Sequence, residues 1–428
     1  MHALIYKLFS LKDGEFKILA LSCGFIFMLF SSYAILRPMR DALGLEGGQK
    51  ELKWLFLATF IACILASLLL MWLSTKIKRR FYADCVFIFF ALNLLIFYAL
   101  MQVFTPHTPE FIWLSRVFYV WISVFNLFAF SSAWSLLADV FSKEASTRLF
   151  GIISAGASLG SIAGAASTRI LVANFGVANL VFLSITLLVV GIVLKNLILR
   201  ELKHFENTES LERFNQVIGS KNPFVGFKLI ITSKYLLALC AFILLLTSVS
   251  TFLYMEQARI VREIFPTREA RIAAFANIDL IVQISALFIQ IFLTAKIAKF
   301  LGITYLLSTL GFVIALGFIV LSFTHPAFLP LAIVMSIRRV GEYALVKPGR
   351  EMLFVPLDAD SKYKVKNFLD AVVYRGGDAL SAQAESLLAS VGIVCVLLCG
   401  AVISFVWGIL GVFLGKSYEK NTNQDSLQ

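Results

Sequence analysis

Apolar residues run through this chain in long blocks, and polar residues arrive in short clusters between them. A membrane-spanning helix needs about 20 mostly apolar residues. Twelve stretches qualify, near 17–38, 52–73, 83–104, 111–137, 148–173, 178–199, 234–258, 270–295, 301–323, 327–350, 365–390 and 391–414. The eleventh is the most polar, and its boundary with the twelfth falls near Gly392. In hydrocarbon every backbone N–H and C=O needs an internal partner, so each lipid-exposed stretch is predicted to be helical. The longest polar interruption separates six spans from six. The pattern predicts an all-α polytopic membrane protein with an N-terminal six-helix half over 1–199, a central cytoplasmic loop over 200–233, a C-terminal six-helix half over 234–415 and a cytoplasmic tail over 416–428.

Composition sharpens this reading. The 428 residues are 59% hydrophobic and 15% charged, whereas a soluble domain is about a quarter charged. The net charge of +12 marks cytoplasmic loops rather than a nucleic-acid partner. With both termini in the cytoplasm, the inner segments collect Lys7, Lys12, Lys76, Lys78, Arg79, Arg80, Lys143, Arg148, a basic set between Lys195 and Lys234, Lys296, Lys299, a 347–366 cluster, Lys416 and Lys420. The outer loops after spans three, five, nine and eleven carry essentially no cations. The N-terminus, MHALIYKLFSLKDGEFK, is too charged for a cleavable signal peptide, so the first span is expected to be retained.

Catalytic and metal chemistry find little support. The six cysteines lie in apolar runs without metal-ligand spacing, and the four histidines fall at the terminus or in loops. No metal and no cofactor are expected. There is no Walker A sequence. The G-x-S-x-G at 156–160 sits in GIISAGASLGSIAGAAS, an apolar helix with small residues at 156, 160 and 164. That context suits close helix packing, not a nucleophile elbow. The chain is therefore read as no enzyme.

The two halves echo each other. LSTKIKRR follows span two and LTAKIAKF follows span eight; DVFSKEASTRLF follows span four and PLDADSKYKVKNF follows span ten. Arg37, Arg40 and Asp41 end span one, as Glu256, Arg259 and Arg262 end span seven. Matching landmarks in two halves are similar to those of a major-facilitator-type transporter, in which the substrate lies between the halves near the bilayer midplane.

An ionisable group at mid-bilayer costs at least about 2.5–3.5 kcal/mol, so each one is a functional candidate. The candidates are Arg37, Arg40, Asp41, Arg116, Arg169, Asp279, Arg338, Arg339, Glu342, Asp370, Arg375, Asp378 and Glu385. Bland readings stand beside them. Arg37 and Arg40 can snorkel to the outer interface, and Arg338 can neutralise Glu342 one turn on. Asp279 has no cation within a turn, so it needs a partner from another helix, a proton or a transported cation. Arg375 lies beside two glycines in YRGGD, where a ligand or a backbone can approach closely or the helix can break. Intramembrane arginines suit an anion, because the guanidinium fork matches phosphate or carboxylate.

KPGREMLFVPLD, followed by KYKVKNFLDAVV, resembles the ATP:ADP antiporter (nucleotide transporter) family, which carries a D-P-T-K-E-M-x-Y-I-P-L-D-like run ending span ten. YAILRPMRDALGL at 33–45 resembles that family's I-L-R-x-x-K-D-x-L run. These matches cover a small part of the chain. The resemblance implies a twelve-helix exchanger of nucleotides or a related phosphorylated anion, working by alternating access in a bacterial inner membrane as a monomer. The family's important lysine of span one falls on Arg40, and its acidic position in span eight falls on Asp279. Its G-K-S-G-G lysine has no clean counterpart, and Arg375 is the nearest cation. Arg37, Arg40, Arg375 and Arg116 are thus expected to contact the anion. Asp41, Asp279, Asp139, Lys347, Arg350, Glu351, Asp358, Asp370 and Asp378 are expected to couple or gate, with Lys347 or Arg350 pairing Asp139 or Asp358 in one state. The alternative is a proton-coupled carrier of another organic anion on the same fold.

Overall fold

The computed structural model describes residues 15–74, 76–141, 143–205, 214–215, 230–292, 294–354, 365–366 and 368–425. Asp358, Lys362 and Lys364, with most of the central loop, lie outside the described residues.

The helices follow the hydropathy. They are α1 (Glu15–Leu43), α2 (Leu52–Ser74), α3 (Arg79–Val103) and α4 (Pro109–Val140). The helical run Lys143–Phe205 contains two spans, because Gly176 adopts φ 74° and divides it into α5 (143–175) and α6 (177–205). Only glycine takes such an angle without strain. Next come α7 (Lys234–Ile264) and α8 (Arg268–Phe292), then α9 (303–324) beyond a similar break at Gly302. α10 (328–352) and α11 (368–391) are interrupted by π turns at Glu342–Val346 and Leu369–Val373. α12 (Ile393–Asp425) follows Gly392. Among the described residues nine helical runs have the length and apolarity of a membrane span, the fifth being the double run. α10 and α11, which do not meet that measure, occupy the stretches expected for spans ten and eleven.

The chain divides into two compact units. The first comprises Met1–Glu46, Leu65–Ser220 and Thr267–Leu280; the second comprises Gly47–Ile64, Lys221–Pro266 and Ile281–Gln428. Each is mostly one expected half, but each includes a helical segment numbered within the other half.

In the first unit, α1 lies against α5 and α6. Gly156, Gly160 and Gly164 form a stripe on α5 that lets the two backbones touch. A Cβ at Gly160 would stand 2.4 Å from the Phe27 carbonyl oxygen, and one at Gly164 would stand 2.5 Å from that of Ser31. Ser31 donates to the Gly160 carbonyl at 2.9 Å, and the Ser32 and Ser184 hydroxyls meet at 2.7 Å. The G-x-S-x-G is therefore a packing seam. The second unit repeats the device between α9 and α12: a Cβ at Gly311 would stand 2.5 Å from the Gly408 nitrogen, and Ser404 donates to the Gly311 carbonyl at 2.9 Å. Outward faces stay apolar, with Leu65, Ile96, Leu316, Phe323 and Leu387 largely exposed, as a lipid solvent requires.

One lysine departs from the sequence reading. Lys195, assigned to the basic set of a cytoplasmic segment, is a fully buried residue of α6. Its ammonium donates to Asp84 of α3 at 2.6 Å. Removing one partner of a buried ion pair strands the other. Lys195→Met is expected to cost about 3 kcal/mol, at the low end for such pairs because Asp84 keeps some solvent contact, and Lys195→Met with Asp84→Leu should recover most of it. Thermal unfolding of the purified single and double variants checks this.

Candidate functional site

Each unit carries its own group of intramembrane charges. In the first unit the group sits at the C-terminal end of α1. Pro38 lies inside that helix. It has no N–H to give the Ala34 carbonyl one turn back, which loosens the turn leading into Arg37. Arg40 is clamped: its Nε and Nη2 donate to Asp41 Oδ1 at 2.9 and 2.6 Å, and its Nη1 donates to Ser123 Oγ of α4 at 3.4 Å. Its guanidinium also lies 5.2 Å from the Tyr119 ring centre. Asp41 is buried. This is a held cation rather than a snorkelling one.

Arg37 meets Asp279 of α8, with Nε 3.9 Å from Oδ2. Asp279 is buried, and its partner does come from another helix. Nearby at the same end, Arg268 donates to Glu46 at 2.8 Å and stacks over Phe111. Two arginines therefore stand side by side on α1, each steadied by one carboxylate. Such a pair can hand its guanidinium from an internal carboxylate to a ligand phosphate, so the arginine keeps an anionic partner in both states.

Arg116 has a different surrounding. Its guanidinium lies 4.4 Å from the ring centre of Trp113, which is largely exposed. A cation over an outward-facing tryptophan is the arrangement of an interfacial anchor. Arg116 thus has surroundings unlike those of Arg37 and Arg40. Arg169 donates to Asn277 and is exposed.

In the second unit the charges gather on α10 and α11 around the π turns. Arg338 pairs with Glu342, both buried, as their one-turn spacing suggests. Glu342 also lies in the field of Arg339, Lys347 and Arg350, so cations outnumber it. Arg375 lies 3.9 Å from Asp378, whose Oδ1 accepts from Thr251 of α7 at 3.1 Å. Both acidic residues influence half-buried Tyr374. The glycines of YRGGD do not break the helix, which is α-helical from Tyr374 to Val391. Gly377 instead allows contact with α7, since a Cβ there would stand 2.3 Å from Thr247 Oγ1.

At the ends that the loop charges assign to the cytoplasm, short ion pairs form within each unit. Asp139 of α4 accepts from Arg79 of α3 at 2.9 Å. Arg350 pairs with Asp370 at 3.3 Å and with Glu351 at 3.6 Å, and Lys366 donates to Glu351 at 2.5 Å. Lys347 stacks over Tyr343 at 4.4 Å.

Several of these features escape the sequence. The partner of Asp279 is Arg37, far away in the chain, so only tertiary structure names it. The two π turns leave no mark in the hydropathy. Each adds one residue to a turn and re-aims the side chains that follow. Their one legible trace is that Glu342 and Asp370, both candidate charges in lipid, lie within them.

The family model described as Major Facilitator Superfamily matches residues 18–345. No curated protein matches the sequence. Solved structures of low identity share the fold. A point mutant of the nucleoside transporter NupG aligns with TM-score 0.64 at 13% identity, over 93% of this chain and 99% of that one. A bacterial homologue of the iron transporter ferroportin, inward-facing, aligns with TM-score 0.65 at 14% identity, over 94% and 100%. The xylose transporter XylE from E. coli, inward open, aligns with TM-score 0.60 at 12% identity, over 95% of each chain.

Proposed function

The chain belongs to the Major Facilitator Superfamily, and from that premise we propose that this multi-pass secondary transporter exchanges nucleotides or a closely related phosphorylated anion. The observation that carries the reading is the set of arginines in the two charge groups. Arg37 and Arg40 stand together on α1, and Arg338, Arg339 and Arg375 stand around the π turns of α10 and α11. A polyphosphate carries several charges, and guanidinium forks match them by parallel hydrogen bonds. Of the stretches that resemble the ATP:ADP antiporter family, ILRPMRDAL holds Arg37 and Arg40, and KPGREMLFVPLD begins directly after the first π turn of the second group.

In this reading Arg37 and Arg40 are the phosphate contacts of the first unit, and Arg375 is the candidate phosphate contact of the second. Asp41, Asp279 and Asp378 hold the arginines when the anion is away. Arg350, with Asp370 and Glu351, and Arg79, with Asp139, fix helix ends that separate in one state of the cycle; Lys347 stands beside them.

Proteoliposomes test the exchange. Vesicles loaded with ADP are expected to take up labelled ATP, while empty vesicles take up little. Asp279→Asn should slow loaded and gradient-driven uptake alike. A variant that loses gradient-driven uptake but keeps counterflow would instead make the protein a proton-coupled carrier of an organic anion, with Asp279 as its proton site.

A further inference from the structure

The second unit holds another buried ionic group at the opposite end from the 347–366 cluster. The start of α7 meets the end of α10, where Tyr235 donates to the Leu353 carbonyl at 2.8 Å. The far end of α7 and the far end of α11 carry Glu256, Arg259 and Glu385, and the turn between α9 and α10 adds His325. No step of nucleotide binding uses them. We propose that these four residues form a proton-binding site.

Geometry and a charge count carry this assignment. Glu256 and Glu385 are 1% and 0% exposed. Arg259 donates to both, with Nη2 2.6 Å from Glu385 Oε1 and Nη1 on Glu256. Two carboxylates around one guanidinium leave a net negative charge in a buried place, which is strongly unfavourable. One added proton makes the group neutral. Two seats exist for it. His325 Nδ1 lies 2.5 Å from Glu256 Oε1, and the imidazole is partly exposed, so it can take a proton from water and hold it against the carboxylate. Glu385 Oε2 is the second seat, a fully buried oxygen without a hydrogen-bond partner among the described residues. A metal cation is the poorer occupant, because the guanidinium already stands between the carboxylates.

The described surroundings supply no other neutralising charge. The charged groups acting on Glu385 are Arg259 and Glu256. On α7, Arg262 and Glu263 are exposed. On α11, Asp378 is about two turns away and engaged with Thr251 and Arg375. From the 47–64 segment, Lys53 gives only its carbonyl, to Gln383, while its ammonium lies over Trp54. A proton leaving the group exposes a buried negative charge and weakens the join between α7, α11 and the α9–α10 turn. The same event would couple that end of the unit to the pH of the compartment it faces.

The test uses the purified full chain without substrate, so its outcome is independent of nucleotide exchange. Thermal unfolding is followed by tryptophan fluorescence between about pH 5 and about pH 9, the range spanned by histidine and buried carboxyls. A proton held by the folded protein and released on unfolding lends stability at low pH that is lost as pH rises. The wild type and the exposed control Glu263→Gln are expected to lose stability across this range. Glu385→Gln removes one negative charge, leaves the group neutral without a proton and should flatten the slope. Glu256→Gln should do the same and serves if Glu385→Gln does not fold. A wild-type slope retained in a folded Gln variant overturns the proposal.

Discussion

Replacing Arg40 with alanine is expected to lower nucleotide uptake per folded molecule about 100- to 1,000-fold. The size follows from the site. Arg40 is clamped between Asp41, Ser123 and Tyr119, so it meets a ligand already oriented. Losing a charge-assisted contact of this kind, with a buried carboxylate left behind, costs about 3–4 kcal/mol, and each 1.4 kcal/mol is about tenfold. Arg40→Lys retains the charge but loses the fork, and its activity should fall between the two. Uptake normalised to protein content in isolated membranes checks both variants. Arg116→Ala, in contrast, removes a cation seated over Trp113 and should leave most of the uptake intact.

Gly160→Val is expected to abolish the folded protein. The new Cβ would lie 2.4 Å from the Phe27 carbonyl oxygen and 3.0 Å from the Phe27 Cα. Those are backbone atoms of α1, so no side chain can swing aside. Relief requires α1 and α5 to separate, which would also pull Ser31 away from the Gly160 carbonyl. Overpacking commonly costs about 1–3 kcal/mol where side chains can yield, and here the cost should be about 3 kcal/mol or more. Gly151→Val on the same helix is the control, because a Cβ there meets nothing within 4 Å. The ratio of monodisperse to aggregated protein after detergent extraction separates the two. A Gly160→Val protein as monodisperse as Gly151→Val would show that the seam is looser than the distances state.

Much of this is legible in the sequence because the bilayer permits few solutions. Apolar run length places most of the helices, although α10 and α11 are too polar to qualify by it, and the glycine spacing at 156, 160 and 164 points to a packing face. The one-turn spacing of Arg338 and Glu342 predicts their pair. What stays hidden depends on tertiary contact. Lys195, within the sixth span, counts with the inner cations because hydropathy does not say which face of a helix a lysine occupies, and Asp84, its partner, lies on another helix. Asp279 visibly needs a partner, yet nothing local can name Arg37. Arg116 groups with the other candidate arginines by charge, and its place over Trp113 is a tertiary detail the sequence does not give. The glycines of YRGGD read as a break or a close approach; the close contact is between Gly377 and Thr247 of α7.

The measurement that tests the central claim most directly is uptake of α-labelled ATP by intact bacterial cells expressing the chain, followed by a chase with unlabelled ADP. Nucleotide exchange predicts label that enters, leaves on the chase, and does neither in Arg40→Ala. A well-inserted protein that takes up no ATP contradicts the nucleotide assignment and directs the search to other phosphorylated or carboxylated anions under an imposed proton gradient.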